Sequence, residues 1–142
     1  VYEEDVVSSG SRIFLLSPAN ASGIKGQRLL GSTTQSDLGR RLRDGGVPLG
    51  EVYRFISSLY FRGKIEYAQR FQNPPRGVAG VQIITGVGLM LPETIVTLNE
   101  LQRISGTSID AKNESYRRAL DCDLLRLRKQ VGSDIDVVLL GS

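Results

Sequence analysis

Three short apolar runs in this chain each stop at glycine or small polar residues, and those stops carry most of its chemical potential. Ile13-Phe14-Leu15-Leu16 ends at Ser17-Pro18, with Asn20 and Ser22 just beyond. Val81-Gln82-Ile83-Ile84 ends at Thr85-Gly86-Val87-Gly88, and Val137-Val138-Leu139-Leu140 at Gly141-Ser142. Free backbone N–H groups in such turns, and the helix N-termini that follow them, can hold an anion. Ser17, Asn20, Thr85, Gly86, Gly88 and Ser142 are therefore the expected lining of a site for a nucleotide or other phosphate-bearing ligand, with Arg62 or Lys64 supplying positive charge. Turns favour Gly, Ser and Pro for geometric reasons alone, so the pattern locates a site without naming its occupant. The familiar phosphate motifs do not settle it. No G-x-x-x-x-G-K-[ST] occurs, and Gly86-x-Gly88 has Leu91 where a dinucleotide fingerprint needs its third glycine.

Candidates for catalysis are few. The chain has no histidine and one cysteine, which argues against zinc, whose preferred ligands are imidazole and thiolate. Acid–base work would fall to carboxylates, lysine, tyrosine or Cys122. Glu93, just beyond the Gly86–Leu91 loop, is the acid best placed to overhang the expected crevice. Cys122 falls within a helix and reads as an inert thiol rather than a nucleophile. Asp110, Asp121 and Asp123 read as surface charge, since Asp121 and Asp123 do not share a helix face. No metal is expected, no cofactor is specified, and enzymatic and purely binding roles both stay open.

Charge supplies a second reading. The net charge of +3 hides an asymmetry: from Arg12 to Arg76 eleven bases face four acids. Arginine dominates, and its planar fork suits bidentate contacts to phosphate and carboxylate. Arg40, Arg41, Arg43, Arg62 and Lys64 form the candidate surface for nucleic acid, in a non-enzymatic binding or assembly module. Leu59-Tyr60-Phe61-Arg62-Gly63-Lys64 interleaves aromatic and basic residues in the way single-strand binders do. On a helix Tyr60 and Phe61 point 100° apart, so one of them belongs in the core.

The elements that must position these residues alternate. Val1–Ser11 reads as a flexible lead-in and 12–142 as one α/β domain. After the first strand come a short helix candidate at Ile24–Leu30 and a helix over Gln35–Asp44 that Gly45-Gly46 ends. A long helical segment follows, beginning near Pro48, divided at Gly63 and closed by Asn73-Pro74-Pro75. Thr97-x-x-Glu100 has the pattern of a capping box, and Asn113–Val131 is the clearest amphipathic helix. Long helical connections between short apolar strands imply a mostly parallel sheet of at least three strands, Rossmann-like in the loose sense. The third strand has no covering helix after it, which suggests part of a longer chain. No run approaches a membrane span, and one cysteine fits a reducing, cytoplasmic setting; the oligomeric state is not legible.

Arg12–Ala19, Pro48-Leu49-Gly50-Glu51-Val52, Leu59–Lys64 and Val138–Ser142 together resemble a family of uncharacterised bacterial α/β proteins of somewhat greater length. That resemblance implies a sequence continuing past Ser142 and brings no activity with it. Leu16-Ser17-Pro18-Ala19 after an apolar strand is also similar to the YaaA family of peroxide-stress proteins, a likeness that implies DNA binding.

Overall fold

The computed structural model describes residues 10–19, 26, 28–29, 36–57, 59–107 and 109–141. Its centre is β1 (Arg12–Leu16). Successive side chains of a strand point to opposite faces, and here both faces are covered. Phe14 and Leu16 enter the larger core with Leu42, Val52, Phe61, Ile65 and Leu101. Ile13 and Leu15 enter a smaller one with Leu127, Leu124 and Val131. From Ile13 to Leu16 every position is buried, and burial on both sides is why this run is continuous rather than alternating.

Two strands flank β1 in parallel: β3 (Val81–Thr85) and β6 (Asp136–Leu140). Their registers set Leu16 opposite Ile83 on one side and Leu140 on the other. Ser17, Thr85 and Gly141 consequently all lie at strand ends on the same edge of the sheet. The fourth strand, β4 (Gly88–Met90), pairs antiparallel with β3 and completes the order β4-β3-β1-β6. The fold is thus α/β with a mixed, mostly parallel sheet. A separate two-stranded sheet joins β2 (Val47–Pro48) to β5 (Ile95–Val96).

Short local signals place the helices α1 (Asp37–Asp44), α2 (Leu49–Ser57), α3 (Leu59–Phe71), α4 (Leu98–Ser105) and α5 (Glu114–Val131). The Ser36 hydroxyl accepts the Gly39 N–H at 3.0 Å and opens α1. Thr97 and Glu100 form the expected capping box of α4, and Asn113 caps α5. Pro48 closes β2 rather than entering a helix. The first N–H groups of α2 go instead to the carbonyls of Thr94 and Pro92, both at 2.9 Å. The expected division at Gly63 is not there, because α3 runs through it unbroken. The Ser57 hydroxyl accepts the Phe61 N–H at 3.1 Å, satisfying a donor that an early helical turn leaves without a carbonyl. Of the Ile24–Leu30 helix, Gly26, Arg28 and Leu29 are described and helical; the remainder lies outside the described residues. Ahead of β1, Gly10 and Ser11 are held by the Asn73 side chain and the Asp136 N–H. No helix among the described residues is long and apolar enough to cross a membrane.

The Gly86–Gly88 segment departs most from expectation. It is not an open loop after a parallel strand but the two-residue turn of the β3–β4 hairpin, with Thr85 paired to Gly88. A Cβ on Gly86 would lie 2.5 Å from the Thr107 carbonyl oxygen, so glycine lets the end of α4 close over the turn. Gly88 has φ +111°, and a Cβ there would also meet the Asp123 carboxylate. Gly86→Val should therefore act on stability, through overpacking worth about 2 kcal/mol. A urea denaturation curve with an unchanged midpoint would show that the turn has room for the added side chain.

Candidate functional site

Helix α3 lies across β1 and runs against it, as three contacts show. Arg12 bridges to Asn73, Phe14 meets Tyr67 edge-on with ring centroids 5.8 Å apart, and Ser17 meets Lys64. Phe61, Ile65 and Ala68 form the buried stripe that seats the helix. Lys64 sits beside that stripe and leans toward the helix N-terminus, the direction helical side chains favour. This carries its ammonium to the end of β1. Nζ donates to the Ser17 Oγ at 2.6 Å and to the Ser17 carbonyl at 3.0 Å, and it lies 5.7 Å from the centre of the Phe61 ring.

Every one of those contacts is with a neutral group, and no carboxylate pairs with Lys64 among the described residues. Burial disfavours the charged form and draws the Lys64 pKa below 10.5, the ordinary lysine value. An ammonium has three N–H donors; two go to Ser17, and the third has no partner among the described residues. The arrangement is a partly desolvated cation at a strand end, where ligands of open α/β sheets bind.

The other expected lining residues divide. Thr85 shares the edge but is fully buried; its hydroxyl donates to the Gly88 carbonyl at 2.8 Å and accepts from the Val87 N–H at 3.2 Å. Gly86 and Gly88 are packed under α4 and α5, and the neighbouring Leu89 N–H donates to Asp123. The Thr85 hydroxyl is thus spent within the hairpin and the Leu89 N–H on α5. Asn20 and Ser142 lie outside the described residues. Glu93 is exposed but sits elsewhere: antiparallel β4 carries the chain away from the strand ends, and Glu93 lines a cleft with Pro48, Arg54 and Gln69.

The arginine surface also divides. Arg40 pairs with Asp37 at 3.1 Å, in the open. Arg41 is held by both oxygens of Glu51, at 2.6 and 3.0 Å, and that hydrogen bonding raises its pKa. Arg41 and Arg62 meet at a cleft of about 540 Å³ that Arg54, Phe55 and Glu51 also line. Arg40, Arg43 and Lys64 are not on its wall. Tyr60 is the exposed aromatic and Phe61 the core one. Tyr53, edge-on to Phe61 and buried, has its phenol pushed up to about 12 by desolvation, which keeps it protonated. Cys122 is exposed, and among the described residues no group of acids and thiols could hold a metal ion.

Sequence reading alone named Ser17 and Lys64 but did not join them. They are 47 positions apart, and only the antiparallel seating of α3 on β1 brings them together. Arg54 and Phe55 were missed as cleft residues; the pattern marks Phe55 only as part of an apolar helical stripe. Comparison of the chain with protein-family models, with characterised proteins and with solved structures gives no match.

The Lys64 geometry has a consequence for stability. With its folded-state pKa below the unfolded value, the unfolded chain binds more protons as pH climbs through that window, so stability rises with pH there. The difference in urea midpoint between the wild type and Lys64→Met should grow in favour of the wild type as pH rises toward 10.5. A difference that stays constant would mean that Lys64 is fully solvated.

Proposed function

We propose that this α/β domain binds a nucleotide or other phosphate-bearing ligand at the C-terminal edge of its parallel strands, in the manner of Rossmann-like sheets. The observation that carries this reading is Lys64, an ammonium brought to Ser17 with neutral partners only among the described residues. A phosphate oxygen takes its remaining N–H and restores the charge balance that burial disturbs. The Ser17 hydroxyl, already accepting from Lys64, is free to donate its own proton to a second phosphate oxygen. The glycines of the hairpin take no part in holding the anion; they shape the wall beside it.

A second reading places nucleic acid on the arginine surface, and the cleft shared by Arg41, Arg54, Arg62 and Phe55 supports it. Arg62 has no ion-pair partner among the described residues, whereas Arg41 is already neutralised by Glu51. The pairing of Arg41 with Glu51 weakens that cleft as an anion anchor relative to the strand-end site.

Phosphorus NMR titration with inorganic phosphate and AMP tests the first reading. A charge-assisted hydrogen bond contributes roughly 1.5–3 kcal/mol, so Lys64→Met should weaken binding at least about tenfold. Lys129→Met, exposed in the last turn of α5 at the opposite edge of the sheet, should leave it unchanged. Equal binding by wild type and Lys64→Met would remove the lysine from the site. Binding that collapses with added salt and falls in Arg62→Ala instead would favour the nucleic-acid surface.

A further inference from the structure

We propose that Tyr60 sets the ligand class of the Ser17–Lys64 site as a nucleoside phosphate, with the phosphate on Lys64 and the base stacked on the tyrosine ring. This rests on the phosphate reading above and adds to it the part of the ligand that phosphate chemistry cannot specify.

Tyr60 precedes Lys64 by one helical turn, so the two share a stripe of α3. Because α3 runs against β1, that turn places Tyr60 about 6 Å beyond Lys64 in the direction leading off the strand end. A ligand anchored by its phosphate at Ser17 extends into this space. The ring there is 79% exposed, and Leu59 beside it is 81% exposed. Tyr67, on the same stripe, is already taken: it packs edge-on to Phe14 and lies 4.7 Å from Phe71, centroid to centroid. Tyr60 makes no ring contact and no hydrogen bond among the described residues. A large, rigid ring with both faces available, one turn from an anion anchor, matches a planar base joined to its phosphate through one sugar. Stacking tolerates any base, since each has a π-face, so the site selects for an aromatic group without reading its edge.

The experiment compares inorganic phosphate, ribose 5-phosphate and AMP on the same protein. AMP should bind about tenfold more tightly than ribose 5-phosphate. Tyr60→Ala should remove that increment and leave ribose 5-phosphate affinity unchanged, while Tyr60→Phe should keep it. Lys64→Met should weaken all three. Ribose 5-phosphate and AMP binding equally well would overturn the stacking role and leave the phosphate site standing. An AMP increment that survives Tyr60→Ala would overturn it as well. No binding of any of the three would remove the phosphate reading itself. A 5′-phosphorylated single-stranded oligonucleotide separates the two sources of this chemistry: affinity equal to that of AMP assigns a free nucleotide, and higher affinity assigns a strand end. Circular dichroism checks that each variant folds, as substitution of so exposed a ring should allow.

Discussion

The burial of β1 on both faces is the constraint on which the rest of the molecule depends. Past Arg12 this strand is flanked by parallel neighbours and covered above and below, and its four remaining side chains are all apolar and buried. Polar chemistry is therefore displaced to the first residue past its end. That residue is Ser17, and its N–H is itself held by the Leu140 carbonyl at 3.0 Å. The serine is thus fixed by the sheet rather than by a loop. Since α3 must lay Phe61, Ile65 and Ala68 on the same strand, the position of Lys64 follows from hydrophobic packing. The polar contact is a by-product of the apolar one, and it inherits the rigidity of the core.

The hairpin shows the opposite economy. A glycine-rich segment after a strand can serve a ligand or serve the fold, because small residues admit either a phosphate or another piece of protein. Here α4 and α5 occupy the space. Thr107 covers Gly86, and Asp123 takes the Leu89 N–H while pairing with Arg126 at 3.0 Å. Sequence spacing cannot separate the two cases. What distinguishes them is which helix arrives at that edge, a property of tertiary packing.

Elements governed by local physics were legible in the residues. Thr97 with Glu100, the amphipathic run up to Val131 and the unbroken apolar run of β1 each state their role within local sequence. The β3–β4 hairpin and the small β2–β5 sheet were not legible. Gly88–Met90 and Ile95–Val96 are too short to show a period, and their pairing is decided by distant partners. Gly63 misled for a related reason: glycine lowers helix propensity, but the buried stripe on either side of it outweighs that cost. The candidate site stood between these cases. Its two residues were visible singly, while the link between them needed the antiparallel seating of α3 on β1.

The same distinction bears on charge. Counting bases along the chain suggests a broad cationic surface, yet several of those bases are spent locally. Arg40 on Asp37, Arg41 on Glu51, Arg118 on Glu114 and Arg126 on Asp123 are surface pairs. Such pairs add little stability, but each cancels the field its arginine would project. Lys64 differs in kind. Its surroundings withdraw part of its water, and no carboxylate answers it among the described residues. Attraction for an anion depends on that imbalance rather than on the number of bases nearby. One lysine without a carboxylate at a strand end therefore counts for more than arginines already paired, such as Arg40 and Arg41.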